Sequence, residues 1–150
     1  MRQLYESKFQ VLLYSERDRL FISEWKYSRD RPTNDEYFQE LHQLHSYFKT
    51  LKPLRYYSNI SNLTYDLSQE ERGYAANLFK DDTATYNAIV TNKIFFDAFV
   101  EEVVNDLEQL TENFTTKYFH DQNKAMKWLL ECGTKKATDA KNLQVTESLR

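Results

Sequence analysis

A mixed α/β fold is what this sequence predicts, and three observations carry that prediction. The hydrophobic period switches repeatedly between two, the signature of a strand, and about 3.6, the signature of a helix. Two capping boxes, Thr33 with Glu36 and Ser68 with Glu71, each mark the start of a helical stretch. No internal repeat or linker interrupts the 150 residues, so the alternating segments fit one domain of ordinary size.

The first strand is expected over Phe9 to Tyr14, where Phe9, Val11 and Leu13 share one face and Leu12 and Tyr14 make the other partly apolar. A polar turn at Ser15 to Asp18 leads into a second strand, Leu20 to Trp25, as in an antiparallel hairpin. The Thr33 capping box then opens a helix to about Leu51, with Phe38, Leu41, Leu44, Phe48 and Leu51 along its apolar stripe, and Pro53 marks its end. A third strand is expected over Leu54 to Ser58. The Ser68 capping box follows, and Tyr74, Ala75 and Leu78 line one face of the next helix.

Tyr86 to Val90 is short, apolar and β-branched at its end, which suits a buried strand. Thr91 or Asn92 caps a further helix carrying Phe96, Phe99, Val100, Val103, Leu107 and Leu110 at helical spacing. Thr115 to Phe119 is the last strand, and Asp121 caps a final helix with Ala125, Trp128 and Leu129 inside. The predicted order is β-β-α-β-α-β-α-β-α, a mixed sheet of about five strands with four helices, the later strands parallel because helices connect them. Residues 1–132 form this domain. Past Cys132 the apolar period disappears, so residues 133–150 read as a loose polar tail.

Composition narrows the function classes. Hydrophobic residues make up 41% of the chain and charged residues 29%, a balance that fits neither a disordered chain nor a membrane-spanning one. A net charge of −3 supplies no basic field for nucleic acid or anionic lipid. With only two glycines there is no phosphate-cradling loop. The opening MRQLYESKFQVLLYSERD lacks an apolar run with a small-residue cleavage site, and Cys132 is the sole cysteine. Both features favour a reducing, cytoplasmic setting. No stretch approaches the roughly 18 apolar residues that a membrane crossing requires.

The element order, the end-of-strand stretch NISNLTYDLS and the closing run YFHDQNKAMKWL together resemble the STAS superfamily, in particular its small stand-alone bacterial STAS-like (SpoIIAA-like) domains. In that family a strand ends in an Asp-x-Ser-like step, matched here by Asn59 to Ser61. A last strand is followed by an acidic cap, an Ala and a Trp-Leu pair, matched by Asp121, Ala125, Trp128 and Leu129. The resemblance spans roughly residues 4 to 132. It implies regulation by protein contact, with a phosphorylated Ser at the start of the helix after the third strand. Ser68 is the nearest match, although the family's Asp-Ser-Ser-Gly stands here as Asp66-Leu67-Ser68-Gln69, lacking one Ser and the Gly.

The candidate interaction or switch residues are therefore Asn59, Ser61, Ser68, Glu70 and Glu71. A phosphate on Ser68 would gain from the helix dipole, but Glu70 and Glu71 already occupy that positive end and would repel it. Capping alone also accounts for a Ser at that position. His42 and His45 stand three apart on a helix with no third ligand nearby in sequence, so core-edge packing explains them better than a metal does. Cys132 lies near a helix C-terminus, which disfavours a thiolate, and a buried thiol is expected. Asp81 and Asp82 read as helix-end residues facing water.

No nucleophile beside a base, no metal set and no phosphate loop stands out, so the chain is expected to be non-enzymatic, with no catalytic, metal-binding or cofactor-binding residues. The leading expectation is a regulatory or protein-interaction module with its surface around Asn59 to Glu71. It implies a protein partner of unknown identity and leaves a homodimer open. The alternative is a carrier of a small apolar ligand or lipid, because related domains are grouped with lipid-binding folds and the aromatic helix from Ile94 to Leu110 would line an apolar pocket.

Overall fold

The structure, a computed structural model, describes residues 1–63, 68–94 and 114–134. Six strands and three helices occupy them: β1 (Arg2–Glu6), β2 (Gln10–Ser15), β3 (Leu20–Trp25), α1 (Asn34–Leu51), β4 (Arg55–Asn59), α2 (Gln69–Phe79), β5 (Tyr86–Val90), β6 (Thr115–Phe119) and α3 (Gln122–Glu131). The strands lie in chain order in one sheet, β1-β2-β3-β4-β5-β6. The first three are antiparallel and β3 to β6 are parallel. The α/β class is as expected, but the expected five strands are corrected to six. The expected helix from Thr91 or Asn92 to Leu110 lies outside the described residues from position 95 onward, as does the tail over 135–150.

The additional strand, β1, has little apolar alternation to announce it. It is an edge strand paired only with β2, and its register shifts between Gln3 and Tyr5, which breaks the period of two. Ser7 Oγ accepts the Phe9 and Gln10 amides and tightens the turn into β2. The face of β2 that is most deeply buried also differs from expectation. Gln10, Leu12 and Tyr14 are buried while Val11 and Leu13 are only half-buried, because α3 lies chiefly over β4 to β6 and covers this end of the other face less fully.

Crossovers of one sense between neighbouring parallel strands place successive helices on one face. Accordingly α1 and α2 share a face, where Leu44 and Phe48 pack with Leu12, Phe21 and Ala84, and Tyr37 and Leu41 pack with Phe9, Trp25 and Leu63. Phe21 meets Phe48 and Tyr56 edge-on at 5.7 and 5.8 Å, a geometry favoured by the ring quadrupoles. After β6 the chain returns over the opposite face. There Ala125, Trp128 and Leu129 of α3 pack on Ile22, Tyr57, Ala88, Val90 and Phe119, as the helical spacing predicts.

Local signals start the helices where expected. Thr33 Oγ1 accepts the Glu36 amide while Glu36 accepts the Thr33 amide, completing the first box. Asp121 accepts the Lys124 amide and its carboxyl is thereby held below the usual range. Along α1, Tyr37 and Glu40 are buried in addition to the expected Leu41, Leu44 and Phe48. Glu40 reaches the interior because Gln10 Nε2 donates to its carboxylate at 2.8 Å and the Tyr5 hydroxyl donates at 3.1 Å. No helix among the described residues is long and apolar enough to cross a membrane.

Arg55 joins the two ends of the architecture. From the first position of β4 its guanidinium donates to the carbonyls of Leu129 (3.1 Å) and Cys132 (3.1 and 2.6 Å) and to that of Asp18. Leu129 O also accepts the Cys132 amide at 3.2 Å, so the guanidinium reinforces the end of α3. Gly133, at φ +81, completes the end of α3, and a Cβ there would stand 3.3 Å from both Arg55 Nη2 and Tyr86 Cε2.

Tyr57 sits in the same core, 3% exposed. Burial, with the Glu24 charge adding to it, pushes its phenol up to about 12. The folded value lies above the unfolded one of about 10, so the resulting stability is complete below pH 10 and is lost as pH rises toward 12. Urea unfolding across that window is expected to show a steeper loss for the wild type than for Tyr57→Phe. Parallel curves would contradict this assignment.

Candidate functional site

At the carboxyl ends of the parallel strands, β4 runs into a turn that its last residue builds. Asn59 is 4% exposed. Its Oδ1 accepts both the Ser61 amide at 3.0 Å and the Ser61 hydroxyl at 2.6 Å, the side-chain mimic of a backbone turn that Asn forms readily. The Ile60 amide donates to Val90 O and the Leu63 amide to Ile60 O, which tie the turn to β5 and close it. Asn62 is exposed but its Nδ2 donates to Trp25 O at 3.2 Å, pinning the turn to the end of β3. Leu63 drops into the core beside Trp25 and Tyr37.

Residues 64–67, and with them Asp66 and Leu67 of the matched motif, lie outside the described residues. The structure resumes at Ser68, whose extended backbone (φ −68°, ψ 162°) and side chain cap α2. Ser68 Oγ accepts the Glu71 amide at 3.1 Å, and Glu71 Oε1 accepts the Ser68 amide at 2.9 Å. Glu71 is fully buried and also takes a charge-assisted bond from Arg31 Nη2. Its second oxygen, Oε2, has no hydrogen-bond partner among the described residues.

The five candidate residues thus divide by role. Asn59 and Glu71 are buried and act as supports; a partner meeting this surface cannot touch the Glu71 carboxylate. Ser61 is half-buried and its hydroxyl is given to a neutral amide oxygen, which offers no base to activate it. Ser68 is exposed with its oxygen engaged as a cap, and Glu70 is exposed on the first turn of α2. Arg31 was not singled out by sequence reasoning, being one cation in a polar run. The one signal for it is its place two residues ahead of the Thr33 capping box, where the chain enters the core.

Elsewhere the remaining chemically suggestive residues engage different neighbours. His42 Nε2 bonds the Tyr74 hydroxyl, whereas His45 Nε2 lies 2.7 Å from Asp82 Oδ2 with its ring edge-on to Phe79. No group of three or more His, Cys, Asp or Glu side chains among the described residues is arranged to hold a metal. Cys132 is buried at the end of α3. Of the aromatic helix expected to line a ligand pocket, only the entry through Ile94 is described, and Ile94 is 81% exposed. The chain matches no family model, no curated protein and no solved structure.

Proposed function

We propose that this chain is a non-enzymatic regulatory or protein-interaction module of STAS-like type, acting in the cytoplasm through the turn after β4 and the start of α2. The observation that carries this reading is the division of labour just described. Exposed Asn62, Ser68 and Glu70 are presented by buried Asn59 and Glu71 and by Arg31. Polar groups held this way lose little conformational freedom on binding, which is what a recognition surface needs. The acidic Glu70 directs it toward a basic patch on a protein partner, either a foreign protein or a second copy of the chain.

Immobilised protein is expected to retain a partner identifiable by mass spectrometry, and light scattering distinguishes a foreign partner from self-association. Glu70→Lys should reduce retention by about tenfold, while Glu16→Lys in the turn at the opposite end of the sheet leaves it unchanged. Ser68→Ala should cost about 1 kcal/mol of stability through the lost cap. Equal retention by Glu70→Lys and wild type would overturn the surface. A monomer that retains nothing would overturn the module itself.

A further inference from the structure

At the amino ends of the same parallel strands lies an open cleft of about 460 Å³, within the size range of small-molecule sites. It is independent of the surface proposed above and separated from it by the length of the sheet. Arg19, Lys52, Asp81 and Asp82 supply its charged lining.

The two cations stand on unusual backbone. Arg19 (φ 47°) and Lys52 (φ 46°) are the two non-glycine residues with positive φ among the described residues. A left-handed conformation costs an L-residue on the order of 1–2 kcal/mol, and glycine or asparagine usually takes it. Lys52 is the C-cap of α1, its amide donating to Phe48 O. Arg19 closes the β2–β3 turn, its amide donating to Glu16 O and its carbonyl accepting from Leu54 and Arg55. Arg19 Nη2 also reaches Lys52 O at 3.4 Å. Long basic side chains therefore occupy two linked positions where glycine would be less strained, and both line one cleft.

The charges in the cleft do not neutralise one another. No ion pair links Arg19 or Lys52 to Asp81 or Asp82; Asp82 is instead engaged by His45. Lys52 Nζ and the Asp81 carboxylate make no ion pair among the described residues. A simple anion would be opposed by the two carboxylates and by the negative ends of α1 and α2, which terminate here. A simple cation would be opposed by Arg19 and Lys52. A ligand bearing both signs satisfies both sets. Phe48, Pro53 and Leu54 also border the cleft, but Phe48 and Pro53 are buried, so its open wall is mainly polar.

We propose that this cleft binds a small zwitterion of amino-acid type, a free amino acid or dipeptide, its carboxylate received by Arg19 and Lys52 and its ammonium by Asp81. The test is a two-dimensional amide NMR titration of the whole chain with leucine and with leucylleucine, beside their N-acetylated and C-amidated forms. Saturable shifts are expected at Arg19, Lys52 and Asp81, and blocking either charged end should weaken binding by about tenfold or more. Lys52→Gly and Asp81→Asn should each weaken binding to a similar extent. Lys52→Gly also relieves the left-handed backbone, so its melting temperature should stay level or rise, which separates lost binding from lost folding. Absence of saturable shifts up to about 10 mM of either free ligand would overturn the proposal. So would blocked forms, or both variants, that bind as the free ligand binds wild type.

Discussion

Replacing Arg55 with leucine is expected to lower the unfolding free energy by about 2–4 kcal/mol, read from urea denaturation midpoints at constant slope. The guanidinium donates to three carbonyls from two separate parts of the chain, that of Asp18 in the β2–β3 turn and those of Leu129 and Cys132 at the end of α3. Leucine keeps apolar volume but removes all of these charged donors, which serve two carbonyls at the end of α3, where Cys132 is buried. Charge-assisted donors exceed neutral ones in strength, so the loss is larger than that of an ordinary side-chain bond. Arg55→Lys should recover only part of the stability, because an ammonium on a flexible stem cannot reproduce the fork. Arg17→Leu serves as the control, since that side chain is 90% exposed and its ion pair with Asp18 belongs to a class of little net worth. A cost below about 1 kcal/mol for Arg55→Leu would mean that α3 is held by its apolar contacts alone.

The second large effect belongs to the Arg31–Glu71 pair. Removing one partner of a buried pair typically costs about 3–5 kcal/mol because the other charge is left uncompensated. Here the Arg31 side chain is 44% exposed while Glu71 is fully buried. Solvent already screens part of the interaction, so Arg31→Ala is expected to cost less, about 2–3 kcal/mol. Glu71→Ala removes the carboxylate and half of the capping box together, with a cost of about 2–3 kcal/mol. In a double-mutant cycle the two changes should be non-additive by about 1–2 kcal/mol, since each already abolishes the shared contact. Strict additivity would show that the bond contributes no net stability. Either change should also loosen the start of α2 and with it the presentation of Ser68 and Glu70.

What was legible in the sequence is local, and what was not is tertiary. Thr33 with Glu36, Ser68 with Glu71, and Asp121 are caps whose partners lie three residues away, so spacing alone identifies them. The stripe of α3 is equally plain, because Ala125, Trp128 and Leu129 repeat at helical period against a sheet. β1 escaped because it is an edge strand whose only apolar residues, Leu4 and Tyr5, are adjacent at a register shift and so show no period of two. The buried charges escaped for another reason. Pattern reading assigns Glu and Arg to the wet side, yet Glu40 is held by Gln10 30 residues away, Glu71 by Arg31 at 40, and Arg55 holds Cys132 at 77. Such partners are chosen by the fold, and no period in the sequence announces them. Among the candidate residues Asn59 to Glu71, which support and which face outward became visible only with burial.

The most direct measurement of the central claim is amide hydrogen exchange on the chain alone and with its captured partner. The turn after β4 and the first turn of α2, residues 60–63 and 68–72, should gain protection in the complex while the β2–β3 turn from Glu16 to Arg19 stays unchanged. Protection that appears at the β2–β3 turn or over α3, with none at residues 60–63 and 68–72, would contradict it.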